Sequence, residues 1–384
     1  MTFIRLSAPV PSDIRSSKEN SMRILLIIVI FIHGLLHMPG FIKAFGMAAL
    51  PQLPHPISRV HGIFWAVASI LFIAAAVLFL NYNKWWWLVS VTALIISQYL
   101  IISDWEDAGL GTALNIIILV ITIVGYGVWS FSSHYNSEVQ NLRKQSDKEQ
   151  TQPLELADLA HLPEPVRMYV INSGAIGQPR VKNFKVELAG AIRSKNGEWM
   201  PFTSAQYNFI GQSSRLFFMN AVKKNLPVAG FHCLKNGIAF MDIRLLSLFR
   251  VQYASGAAIN KADTVTFLND MCCMAPATLI DPRITWQSNG NGKVGATFRS
   301  NDVSISADLF FNDRYELVNF VSNDRAALQD DGTFQSLPWS TPLSQYDDRL
   351  GYHLPRHAEA VYRYTEGDFA YGKFEIVKVS YNVS

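Results

Sequence analysis

Cysteine is scarce. Three residues in 384, Cys233, Cys272 and Cys273, cannot build a disulfide framework and leave no second pair to complete a zinc site. Cys272 and Cys273 are chain neighbours with Cα atoms ~3.8 Å apart, below the usual disulfide range, so they read as buried small hydrophobes. Charge is also short: Asp, Glu, Lys and Arg make up 16% of the chain, well under the roughly 25% of ordinary soluble domains, and the net charge is only +3. The basic residues form no cluster interleaved with aromatics, which leaves a nucleic-acid-binding surface without support. Absent too are G-x-S-x-G, Walker, H-E-x-x-H and G-x-G-x-x-G patterns, so the common hydrolase, nucleotide and dinucleotide chemistries lack their signatures.

What is abundant is apolar sequence, at 49% of residues, and it is concentrated in the first third. Residues 24–42, 62–80, 85–103 and 110–131 carry no Lys, Arg, Asp or Glu. Each matches the ~20 residues an α-helix needs to cross ~30 Å of hydrocarbon, and helices, unlike open strands, satisfy their own backbone there. The reading is a four-helix transmembrane bundle over 24–132 behind a polar segment, 1–23. Met22 and Arg23 could open a cleaved signal sequence, but the run lacks a small-x-small cleavage site and is kept as a helix bent or ended by Pro39 and Gly40. Trp85, Trp86, Trp87 and Trp129 read as interfacial anchors. Basic flanks, among them Arg5, Arg15, Lys18, Arg23, Lys84, Arg143 and Lys144, outweigh Lys43 and Arg59 on the other side. This predicts both termini, and the soluble part, on the cytoplasmic side of an inner membrane.

Residues 133–154 are a polar stretch, expected to be a tether or a fraying helix extension. From 155 to 384 the period changes. A short helix over 163–173 is followed by about ten strand-like runs rich in Val, Ile, Phe, Tyr and Trp, punctuated by Asn-Gly, Asn-Asp and Asp-Gly. Alternation in VSISADLFF puts Val303, Ile305, Ala307 and Leu309 on one face. One helical segment interrupts the strands: Asp263 suits its cap, and Val265, Leu268, Met271, Cys272 and Ala275 follow helical spacing before Pro276. The predicted architecture is therefore multi-domain, an all-α bundle followed by a mainly antiparallel β half-barrel wrapped on that one helix.

Several ordered blocks carry a resemblance: LPEPVRMYV, Gly174 and Gly177, WMPFTSAQ, TFLNDM, APATLIDPRITWQ, FFNDRYELVNFVSNDR, PWSTPLSQYDDRLGYHLP, AEAVYRY, FAYGKF and VSYN. Over residues 155–383 the chain resembles an uncharacterised bacterial domain family, often joined to an amino-terminal membrane segment and without an assigned activity. Its shape is similar to the curved-sheet carriers of lipoproteins and lipids, an analogy of fold. The four-helix part, through IHGLLHMPGFIKAFG, resembles the small DoxX-like bundles.

Two sets of residues invite functional readings. His33 and His37 stand four apart on one helix face, a spacing that can present two imidazoles to a metal ion or haem iron. With the termini inside, His37, His61, Asp104, Asp107 and Asn115 fall toward the outer ends of their helices. The competing reading is a hydrogen-bonded cluster with Arg59 paired to a carboxylate, which only fixes the bundle. In the β half, Trp199, Trp286, Phe311 and Trp339 either line an apolar cavity for a lipid or amphiphile or fill the concave face, while Arg325, Asp347, Asp348 and Arg349 are expected as ion pairs at the sheet rim. The leading expectation is a non-enzymatic membrane protein whose β domain binds an apolar ligand beside the bilayer. A metal- or cofactor-dependent membrane oxidoreductase at His33 and His37, and a structural partner-binding protein, are the alternatives.

Overall fold

The computed structural model describes residues 15–384 except 52, 147–150, 225, 289, 291, 330–331 and 349–350, with side chains from residue 21 onward. Most of the expected polar segment 1–23, and Arg349, thus lie outside the described residues. The chain forms two compact units, one ending at Ser133 and one running from His134 to Ser384.

The first unit is helical: α1 (Arg15–Leu35), α2 (Met38–Ala44), α3 (Arg59–Leu80), α4 (Trp86–Ser103), α5 (Trp105–Ala108) and α6 (Gly111–Ser146), the last continuing into the second unit. Four segments, Ser21–Ala44, Arg59–Leu80, Trp86–Ser103 and Gly111–Ser146, are long and apolar enough to cross a membrane. Large side chains such as Ile70, Ile95, Ile102 and Ile116 are exposed on them, as lipid-facing positions require. The faces turned inward are small, with Ala68, Ser69, Ala75, Ala76, Ser90 and Ala93 buried. Small residues let helix backbones approach where no hydrophobic force drives association. Gly125 shows the constraint most sharply: a Cβ there would meet Trp86 Cζ2 at 2.2 Å. The break between α1 and α2 falls at Leu36 and His37, one turn ahead of Pro39.

The second unit begins with residues 134–146 of α6. Their polar composition conceals a stripe, Tyr135, Val139 and Leu142, which is buried, so this half of the expected tether or helix extension is helix, and packed rather than fraying. Then come α7 (Glu164–Asn172), with proline at its start and Gly174 at φ +77° after its end, and strands β1 (Asn183–Ile192), β2 (Met200–Phe209), β3 (Ser214–Lys223), β4 (Leu226–Lys235), β5 (Ile238–Leu245) and β6 (Phe249–Ser255). Helix α8 (Ala257–Met274) follows, and after it β7 (Ile284–Ser288), β8 (Lys293–Ser300), β9 (Val303–Phe311), β10 (Leu317–Ser322), β11 (Ala326–Leu328), β12 (Phe334–Ser336), β13 (Trp339–Asp347), β14 (Leu354–Tyr364) and β15 (Gly367–Tyr381). Thirteen of these strands make one antiparallel sheet in the order β6-β5-β4-β3-β2-β1-β15-β14-β13-β10-β9-β8-β7, which does not close into a barrel; β11 and β12 form a separate ribbon. The strands exceed the expected ten because GIAFMDIRLLSLFRVQ holds β5 and β6, turned at Leu246 and Ser247 with φ +55° and +57°, because ELVNFVSNDRAA holds β10 and β11, and because β4, β12 and β13 lie outside the expected runs. Asn236 and Gly237, both at positive φ, make the β4–β5 hairpin that an Asn-Gly pair favours.

Helix α8 packs against β4, β5 and β6 from one end of the sheet and β9 and β10 from the other. It begins at Ala257, two turns earlier than expected, after Gly256 at φ +100°. Asp263 is therefore no cap but a buried residue in the body of the helix. Val265, Phe267, Leu268, Met271 and Cys272 have no exposed surface, at about 1.5–3 kcal/mol of burial for each of the larger side chains. The buried pair between α8 and the sheet, Asp270 with Arg215, is satisfied. Asp270 Oδ2 accepts from Arg215 Nε at 2.7 Å, Gln206 Nε2 at 2.8 Å and Asn208 Nδ2 at 3.1 Å, while Arg215 Nη2 donates to Gln206 Oε1 at 2.9 Å.

Candidate functional site

Six polar residues of the helical unit, from α1, the break after it, α4 and α6, form one chain of hydrogen bonds. His37 Nδ1 lies 2.8 Å from the carbonyl of His33, which can only accept, so that nitrogen carries the proton. His37 Nε2 then accepts from Ser97 Oγ at 2.8 Å, and Ser97 Oγ accepts in turn from Asn115 Nδ2 at 3.0 Å. Asn115 also donates to Gln98 Oε1 at 3.0 Å, which turns its Oδ1 toward His33 Nε2 at 2.8 Å. Gln98 Nε2 passes the chain on to Thr112 Oγ1 at 3.2 Å. His33, His37, Ser97 and Asn115 are all buried. One atom is left over: His33 Nδ1, buried without a partner. Reversing the Asn115 amide would turn it from a bare lone pair into a bare N–H, so in either sense His33 keeps unused bonding capacity.

Beside this chain lies a cavity of about 320 Å³ lined by His33, His37, Gly40, Trp65, Asp104 and Asp107 together with Leu36, Ile57, Ile101 and Leu114. Gly40 admits the Trp65 ring, since a Cβ at residue 40 would stand 2.5 Å from Trp65 Cγ. Trp65 Nε1 donates to Asp104 Oδ2 at 3.2 Å, and His61 Nδ1 stands 3.9 Å from the same oxygen. Among the described residues the expected Arg59–carboxylate pair does not form. His55, from the proline-rich loop before α3, takes its place, with Nδ1 at 3.0 Å from Asp107 Oδ1 and Nε2 at 2.9 Å from Glu106. The Asp107 bond raises His55 above the usual histidine value, and the same bond holds the Asp107 carboxyl below the usual aspartate value.

The histidine pair does not present a chelate. Both nitrogens of His37 are engaged, and only one of His33 is open. Among the described residues no three His, Cys, Asp or Glu side chains are grouped to hold a metal ion. The arrangement can donate or accept one hydrogen bond at His33 and can rearrange protons along the chain from His33 to His37. Sequence reasoning missed Ser97, Gln98, Thr112, Trp65 and His55. Ser97 and Gln98 leave a signal, a polar pair inside an otherwise apolar run.

In the second unit the four aromatics stand on separate elements. Trp199 lies at the β1–β2 turn with Arg193 4.4 Å and Lys373 5.0 Å from its ring centroid. Phe311 packs on Tyr169, and Trp286 sits on the edge strand β7. Trp339 is buried and donates to Tyr371 Oη at 3.1 Å, with Arg325 4.6 Å over its ring. Arg325 thus belongs to an aromatic cluster and also bonds Tyr362 and Thr266, away from the rim ion pairs expected for it. Asp348 pairs instead with His353 Nδ1 at 2.7 Å, and His353 Nε2 reaches Glu316 at 3.2 Å. A groove of about 770 Å³ on this unit is lined by Thr151, Gln152, Arg180, Lys182, Ile210 and Arg283, among others, and by none of the four aromatics.

No protein of curated function is detectably similar to the chain. Residues 152–374, more than half of the sequence and nearly all of the sheet with α7 and α8, match the model of a family of unknown function, DUF6544, and the chain belongs to that family.

Proposed function

We propose that the helical unit holds a small amphiphilic molecule, an alcohol, phenol or amine on an apolar body, in the cavity beside His33. The observation that carries this is a cavity of about 320 Å³ whose lining includes His33, a buried residue with a ring nitrogen, Nδ1, left without a partner. A polar atom at membrane depth without a partner is costly, and a ligand hydroxyl or amine would satisfy it. Leu36, Ile57, Trp65, Ile101 and Leu114 suit an apolar body, and Asp104 and Asp107 a polar end. This moves the expected ligand from the β unit to the bundle, because α8 is buried there in an apolar cluster that Phe311 and Trp339 join. We take the role to be binding without covalent chemistry, in the inner membrane, with the β unit on the cytoplasmic side. That placement rests on the basic residues flanking the spans.

The test is mass spectrometry of small molecules extracted from the detergent-purified protein. One species near stoichiometric amount is expected in the wild type. It should be depleted in His33→Ala and in Ala108→Phe, which fills the cavity from its lining. An extract with no such species, or one unchanged by both substitutions, refutes the reading.

A further inference from the structure

Four hairpins of the β unit turn at the same end of the sheet. The pairs Ile192 with Met200, Lys223 with Leu226, Leu245 with Phe249, and Tyr364 with Gly367 each close a turn there. At the β3–β4 and β5–β6 tips, large apolar side chains face outward: Leu226 is 45% exposed, Phe249 62% and Val251 59%. Lys223, Lys224 and Arg250 are exposed beside them. The carboxylate nearby, Asp242, is shared by Arg244 and Arg250, so the tips carry net positive charge. Apolar side chains ringed by cations are the composition of a surface that meets anionic headgroups over hydrocarbon.

The path of the chain selects the same end. Ser146 accepts from Asn183, where β1 begins, whereas Tyr135 bonds the carbonyl of Ala205, midway along β2. Traced back toward His134, the helical segment runs toward the hairpin tips, so the chain enters this unit from the tip side. Directly before it in the sequence stands the apolar run 110–131.

We propose that this end of the sheet rests on an anionic bilayer surface, with Leu226 and Phe249 in the interfacial zone and Lys223, Lys224 and Arg250 at lipid phosphates. The test uses the full chain reconstituted in phosphatidylcholine vesicles with or without phosphatidylglycerol. A fluorophore is placed on Leu226→Cys or Phe249→Cys, with Gly211→Cys in the β2–β3 turn at the opposite end as control. The native thiols are buried, with Cys233 pushed up to about 12 by that burial, so labelling goes to the introduced cysteine. With phosphatidylglycerol present, nitroxide lipid should quench the labels at 226 and 249 several-fold more than the label at 211. Lys223→Gln with Lys224→Gln should lower the docked-to-free ratio by about five-fold for each lysine removed, and added salt should act in the same direction. Equal quenching at 249 and 211 overturns the proposal, as does quenching indifferent to phosphatidylglycerol. Protection of residue 249 in native membranes but not in pure-lipid vesicles also overturns it, and assigns the surface to a protein partner.

Discussion

Replacing Asn115 by Leu removes the amide that joins three helices while keeping a side chain of similar size. Two groups lose their partner outright: the buried His33 Nε2 its acceptor and the half-buried Gln98 Oε1 its donor. Ser97 keeps its bond to His37. Interhelical hydrogen bonds in membranes average about 0.6 kcal/mol and reach about 1.7. An orphaned buried polar group costs more than a bond is worth, about 1–3 kcal/mol. Two orphans place the expected loss at about 2–4 kcal/mol for Asn115→Leu. The asymmetry makes a second prediction from the same chain. In His33→Leu with Asn115→Leu the orphaned imidazole disappears together with its partner, so the double variant should lose about 1–2 kcal/mol less than the two single losses added. Reversible unfolding of the full chain in mixed micelles, followed by helical circular dichroism and tryptophan emission, measures both. An Asn115→Leu loss under about 0.5 kcal/mol, or strict additivity in the double variant, would falsify the buried chain of bonds and with it the argument for an open His33 Nδ1.

Three further outcomes are expected. Arg215→Met strands Asp270 on α8 and should cost about 3–5 kcal/mol, most of it recovered in Arg215→Met with Asp270→Leu; denaturant midpoints of wild type, the single variant and the double variant decide this. Partial burial opposes the charge on His353, but its bonds to Asp348 and Glu316 outweigh that and raise it above the usual histidine value. Its contribution is then complete below about pH 6.5 and fades as pH rises through the raised value, so the stability difference between wild type and His353→Gln, under about 1 kcal/mol for so exposed a pair, should be larger at pH 6 than at pH 9. A reporter that works only outside the cytoplasm, fused after Ser384, should be silent; activity there reverses the proposed orientation.

The helical unit was legible where composition alone decides. Runs without charge have to be helices in lipid, and their ends follow from the charges that flank them. Which polar groups meet inside was only half legible. Spacing places His33 and His37 on one face, but their partners depend on how α1, α4 and α6 pack, which is set by contacts such as Gly125 under Trp86 that have no one-dimensional signature. The Arg59 pairing failed for a related reason. Asp107 is reached by His55 from an irregular loop, and neither helical nor strand periodicity governs where a loop puts an imidazole.

In the β unit, alternation gave strand faces correctly in β9, where Ile305, Ala307 and Leu309 are buried and Ser304 and Ser306 exposed. It could not settle whether the concave side is hollow. That question turns on α8, whose sequence shows a single apolar stripe from Val265 to Ala275. Thr264, Asn269 and Asp270, off that stripe, are buried as well, as is Asp263. A helix buried on nearly every side needs polar partners, and Asp270 finds them in Arg215, Gln206 and Asn208 on β2 and β3. Those strand residues show in the sequence only as polar positions two apart, which equally suit a solvent face. Phe311 and Trp339 belong to the apolar cluster around this helix, and Trp286 packs against it. Asp263 Oδ2 and Trp286 Nε1 of this unit are also buried without a partner, but neither residue lines the cavity or the groove, so a ligand is better sought at His33 among the apolar helices, where an unpaired residue borders the cavity.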